Sequence, residues 1–156
     1  MVVARCRDRG YEPTFHPETG TYVEAPWEIE RVLELSDIGL CLETGHMMLG
    51  GGNPVIMLRD HASRINHVHL KDAVLAVMRQ IIADEAPVTD IWSREAFCAF
   101  GGGDLDVPAI LNGLREIEFS GWLVVEQDIL PRTAERFARA AADQRENRAY
   151  LAARGF

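Results

Sequence analysis

Four short stretches of the chain, residues 12–16, 38–43, 65–70 and 122–126, are rich in β-branched or apolar side chains and finish on, or one residue from, an ionisable or polar one. Each leads through a loop to a segment with helical spacing, which predicts strand followed by helix. The first strand is followed by PETGTYVEAP and a helix over 27–35, with Ile29, Val32 and Leu33 on one side. After the second comes TGHMMLGGGN, read as a loop, and a helix opening at Pro54, where proline suits a first turn. The third strand precedes a helix over 73–83. Residues 84–103 are the least regular, with one short helix expected over 93–97. An amphipathic helix then carries Val107, Ile110, Leu111, Leu114 and Ile117, with Asp106 as its N-cap before Pro108. An Ala/Arg-rich helix follows the fourth strand. Strands alternating with helices give right-handed βαβ units and a parallel sheet, so the fold class is α/β. IGLCL and WLVV, apolar on both faces, agree with this.

Side chains two apart on a strand share a face. Phe15, Leu42, Val68, Leu70, Leu123 and Val125 therefore form the face that packs under helices, while His16, Glu43, His69 and Glu126 end the opposite face. The C-terminal ends of parallel strands are where barrels and open sheets place catalytic groups. Four converging His and Glu side chains suit Zn²⁺, Mn²⁺, Co²⁺ or Fe²⁺ better than Ca²⁺. A cation also offsets the cost of burying two carboxylates together. His67 reads as a core histidine. The runs Gly50–Gly52 and Gly101–Gly103 lack the context of a phosphate loop and read as flexible loops.

Composition narrows the classes. The 156 residues carry 16 Lys+Arg against 24 Asp+Glu, a net charge of −8. Such a chain repels phosphate backbones and anionic lipid, so neither nucleic acid nor a membrane is an expected partner. The arginines of the last segment alternate with acids and read as a solvated helix face. Cys6, Cys41 and Cys98 are odd in number and widely spaced, which argues against a disulfide framework and for a cytoplasmic location. No signal-peptide core or membrane-length apolar run is visible. The length suits a single domain, 1–156.

LETGH (42–46), HVHLKD (67–72), FGGGDLDVPAILNGL and GWLVVEQD (121–128), in this order and spacing, resemble the C-terminal half of the xylose isomerase-like TIM-barrel superfamily. The likeness is to its sugar isomerase/epimerase and inosose dehydratase branches. It implies four consecutive βα units, half of a (β/α)8 barrel. It also implies a divalent metal ion (Mn, Co, Zn or Mg) held by His16, Glu43, His69 and Glu126. Glu43 replaces the family's usual Asp, and His16 followed by Glu18 replaces its usual Glu on the fifth strand. By the same resemblance Glu126 moves a proton, His46 and Lys71 face the substrate, and Glu18 is a second proton acceptor.

The implied activity is metal-dependent isomerisation or epimerisation of a sugar, by proton abstraction next to a carbonyl through an enediolate. The alternatives are dehydration of an inosose-type keto-polyol and an inactive half barrel serving as an assembly module. Apurinic endonucleases of the superfamily need a basic groove that this chain lacks. A whole barrel takes about 250 residues, and ARCRDRGYEP resembles the end of the family's fourth helix. Pairing of two copies into a complete barrel is therefore expected, with a separate N-terminal partner or a truncated chain as the other outcomes.

Overall fold

Alternation and helical spacing organise the chain into the order α1 (Val2–Arg7), β1 (Thr14–Phe15), α2 (Pro26–Leu35), β2 (Gly39–Glu43), α3 (Thr44–Leu49) and α4 (Pro54–Asp60). A 3-10 turn at Ala62–Arg64 precedes β3 (Ile65–Leu70), β4 (Asp72–Ala73), α5 (Leu75–Ala83), α6 (Asp90–Ser93) and β5 (Phe97–Cys98). The chain continues through α7 (Val107–Glu116), β6 (Trp122–Val125) and α8 (Ala134–Ala152). This computed structural model describes residues 2–156. Strands β1, β2, β3 and β6 lie side by side in that order, all parallel. Strands β4 and β5 form a separate antiparallel pair. Parallel neighbours joined through helices are consecutive βα units, the architecture of half a barrel.

The core lies between this sheet and its helices. Leu40, Leu42, Val68 and Leu70 from β2 and β3 pack against Ile29 and Leu33 of α2, Met57 and Leu58 of α4, and Ile110, Leu111 and Leu114 of α7. Phe15, Leu123 and Val125 join at the margin, so the face assigned to the core by alternation is the one that is buried. Full burial of each such side chain contributes roughly 1.5–3 kcal/mol before entropy is counted. At the end of the sheet away from the ionisable residues, Arg64 donates to the carbonyls of Leu33, Ser36 and Ile38, at 3.1, 2.7 and 2.6 Å. That guanidinium ties α2 and the entry to β2 onto the start of β3.

Several boundaries differ from the sequence expectation, each for a local reason. Only Thr14 and Phe15 of the first strand find partners, Gly39 and Leu40. Pro17, which has no N–H, follows His16 and stops the ladder. The fourth strand ends at Val125, yet the Glu126 N–H still donates to the Leu70 carbonyl at 3.0 Å. Residues 44–49 are helical rather than a loop: all six residues of α3 are buried, so no polar stripe reveals its period. The helix expected from residue 73 starts at Leu75 because Asp72 and Ala73 pair with Cys98 and Phe97. The short helix expected over 93–97 is instead one turn at Asp90–Ser93, with Phe97 in β5.

The glycine run at 101–103 is not a free loop. The Asp72 carboxylate accepts from the N–H groups of Gly101, Gly103 and Leu105, and from Ala73 beside it. Arg136 and Arg139 of α8 pair with Glu95 instead of forming only a solvated face. All three cysteines are free, and no helix among the described residues is long and apolar enough to cross a membrane.

Candidate metal centre and active site

The C-terminal ends of the four parallel strands deliver His16, Glu43, His69 and Glu126 to one place. Each offers a ligand atom, and these four atoms lie within 4.8 Å of one another. A one-residue register shift between Leu40 and Cys41 sets Glu43 opposite His69 across the β2–β3 ladder. His69 Nδ1 is at the centre, 2.7 Å from Glu126 Oε2, 3.3 Å from Glu43 Oε2 and 3.2 Å from His16 Nε2. Cys41 is buried on the same face, and burial pushes its thiol up to about 12.

The donor chemistry fits a divalent cation. Glu43 is fully buried; its Oε1 accepts from the N–H groups of Gly45 and His46 at the start of α3, at 3.0 and 3.4 Å. Its other oxygen, Oε2, has no hydrogen-bond partner, and neither has Glu126 Oε2, whose close approach to His69 lies off the line a ring N–H would need. Both orphaned oxygens are the ones turned into the quartet. Lone pairs of two carboxylates and two imidazoles thus converge with too few hydrogens to share, an arrangement a dication balances. The carboxylates of Glu126 and then Glu43 push His69 up to about 9, whereas burial lowers His16. Glu126 is held low chiefly by His69. Protons therefore compete with the ion at His69, and the competition weakens as pH rises.

Beside the quartet sits a second group. Lys71 is fully buried; its Nζ donates to Asp128 Oδ2 at 3.0 Å and lies 3.3 Å from Glu126 Oε1 and 3.8 Å from Glu43 Oε1. His46 Nε2 is 3.3 Å from the same Asp128 oxygen, and Phe97 packs edge-on to the His46 ring and under the ammonium. Burial alone would raise the Asp128 carboxyl, but the contacts with His46 and Lys71 outweigh it and hold it well below the usual range.

Six residues expected from sequence therefore meet: His16, Glu43, His46, His69, Lys71 and Glu126. Glu18 precedes Thr19, whose N–H donates to the His46 ring, so its backbone borders the group. Among the described residues no hydrogen bond or ion pair joins its carboxylate to the group, and its backbone instead closes a turn with Thr21 and Val23. His67 is half-buried and edge-on to His69 rather than enclosed in the core; burial lowers it. Asp128 was missed by sequence reasoning. It is two residues beyond Glu126 and would have emerged had the alternation been carried past the strand end.

Comparison with known proteins agrees with this geometry. The family model described as xylose isomerase-like TIM barrel matches residues 2–152. An inosose dehydratase of Geobacillus kaustophilus is 33% identical over 138 residues, covering 86% of this chain and 45% of that protein. The rhizopine catabolism protein MocC of Rhizobium meliloti is 33% identical over 157 positions, covering 99% of this chain and 48% of that protein. The chain spans about half the length of the curated relatives it matches. Among solved structures, the IolI protein with a bound zinc atom matches at TM-score 0.60 and 20% identity, over 92% of this chain and 49% of that one. An L-ribulose 3-epimerase matches at TM-score 0.63 and 18% identity, over 97% and 49%. At such identities the structures speak for the fold alone. With the strand-end quartet, the four parallel βα units and the family match in agreement, the chain belongs to the xylose isomerase-like TIM-barrel family.

Proposed function

We propose that this chain carries the acid–base and metal-binding half of a lyase that removes water from a keto-polyol of the inosose type. The observation that supports it most is a base and an acid in one site: Glu126 Oε1 lies 3.3 Å from the Lys71 ammonium, with His46 alongside. A divalent ion held by His16, Glu43, His69 and Glu126 would polarise the substrate carbonyl and stabilise the negative charge that develops on its oxygen. Glu126 takes the proton from the carbon next to the carbonyl, giving an enediolate. Lys71, with His46 as the neighbouring donor, gives a proton to the hydroxyl leaving the next carbon, and water departs. The proton held by Glu126 is then within reach of Nζ, which restores both groups. Phe97, against the Lys71 ammonium and the His46 ring, shields the donor side of the site from bulk water.

The isomerase or epimerase expected from the motifs shares the first step and differs in where the proton returns. Two things favour dehydration. Relatives at about 30% identity are inosose dehydratases, and among the described residues no hydrogen bond or ion pair ties Glu18, the second base that epimerisation would use, to the group. The deciding experiment loads the protein with Mn²⁺, Co²⁺ or Zn²⁺, supplies an inosose and follows the product by NMR. A product lacking one water is expected. An isomeric keto-polyol returns the chain to the isomerase reading, and failure to bind any of the three ions leaves only the assembly-module reading.

We also propose that the inner face of the sheet is covered by a second set of strands from another copy of the chain. On this face Trp122 is 78% exposed, and among the described residues no further strand pairs with the outer edges of β1 and β6. Light scattering after size exclusion should give a dimer mass; a stable monomer rules this out.

A further inference from the structure

Lys71 is the only lysine in the chain, which otherwise draws its cationic side chains from arginine. It is also fully buried, so its four-carbon stem crosses the interior to place one ammonium beside three carboxylates. Of these, Asp128 is the nearest and the one whose oxygen receives a hydrogen bond from Nζ. The same oxygen, Oδ2, faces His46 Nε2 at 3.3 Å. The His46 ring is oriented from its other side: the Thr19 N–H donates to Nδ1 at 3.2 Å, so the ring's hydrogen sits on Nε2, the nitrogen nearer Asp128. One donor and one close imidazole N–H from different strand ends thereby flank a carboxylate oxygen that is not in the candidate metal-ligating quartet. The charges balance as well. Two positive charges on an ion plus that of Lys71 equal the three negative charges of Glu43, Glu126 and Asp128. With Glu43 and Glu126 among the residues that would hold an ion, Asp128 would be the carboxylate left for the ammonium.

From this geometry we infer that Asp128 is a positioning residue: it fixes the Lys71 ammonium and the His46 Nε2–H at the proton-donating side of the site without ligating the ion. The inference rests on the proposed acid–base reading for its consequence in turnover, while the contacts themselves are independent of any ion.

Because Lys71 stands alone, protein labelled with ¹⁵N-lysine gives a single Nζ signal, and the exchange of its hydrogens with water can be read directly. In Asp128→Leu, which keeps the approximate volume but accepts no hydrogen bond, exchange is expected to be at least about tenfold faster. Asp128→Asn retains an acceptor oxygen without the charge and is expected to fall between, at roughly threefold. Zn²⁺ affinity of both variants should stay within about a hundredfold of the parent, the range of an outer contact. Exchange at the parental rate in Asp128→Leu overturns the inference; if that variant does not fold, the parental rate in Asp128→Asn does so. A loss of Zn²⁺ affinity beyond about a hundredfold in Asp128→Asn also overturns it, by making Asp128 part of the ion's own shell. If the parent protein fails to bind Zn²⁺, the metal reading fails separately, and the exchange comparison in the metal-free protein still judges Asp128.

Discussion

Asp72 and Glu43 are both fully buried carboxylates at the same end of the sheet, and they have opposite fates. Asp72 is saturated: Oδ1 accepts from Ala73 and Leu105 at 2.8 and 3.0 Å, and Oδ2 from Gly101 and Gly103 at 2.9 and 3.1 Å. Glu43 has one oxygen engaged by backbone N–H groups and the other with no donor, aimed at His69 and His16. A buried acid whose lone pairs are all used organises chain. One with an oxygen to spare, among imidazoles, is built to receive something positive. Burial alone does not separate the two roles; the count of satisfied oxygens does.

The largest expected effect breaks the saturated side. Asp72→Ala strands four backbone N–H groups and should cost about 3–5 kcal/mol of unfolding free energy in urea titration. A loss below 1 kcal/mol would mean that water replaces the carboxylate and that the comparison is wrong. Next is Glu43→Gln, expected to weaken Zn²⁺ binding by about a hundredfold, roughly 2.7 kcal/mol, by isothermal titration. The metal-free variant should unfold within about 1 kcal/mol of the parent, because the carboxylate it loses was short of donors.

Gly103→Ala sharpens the loop side, since a Cβ there would strike Asp72 Oδ1 and the Ala73 carbonyl. A stability loss of about 1–3 kcal/mol with unchanged Zn²⁺ affinity is expected from such overpacking. The smallest effect is chemical. Burial, with Asp72 next in influence, pushes the Cys98 thiol up to about 12. Its thiolate is therefore scarce near pH 8 in the folded protein, and iodoacetamide should label it about a thousandfold more slowly than in urea. The contribution to stability has the matching sign: it is present below the unfolded thiol's ordinary value and is lost as pH rises towards 12. Equal labelling rates in both states would show that the β4–β5 segment is open.

Much of the site was legible because period-two alternation is a local property. It separated Leu42, Val68 and Val125 from Glu43, His69 and Glu126 with no knowledge of where the strands lay. It was silent where side chains are buried all round, as in α3, and where a strand is two residues long, as in β4 and β5. It also stopped at the strand end, one alternation short of Asp128.

The alternation of four parallel strands with helices, the buried face and which ionisable residues stand at the four strand ends are properties of short stretches, and the amino-acid sequence alone determined them. Which carboxylate is saturated and which is left wanting was decided only in three dimensions. Asp72 meets Leu105 from 33 residues away, and Lys71 meets Asp128 from 57. Hydrogen-bond capacity is used up by whatever the folded chain brings within about 3 Å, and no local pattern records that.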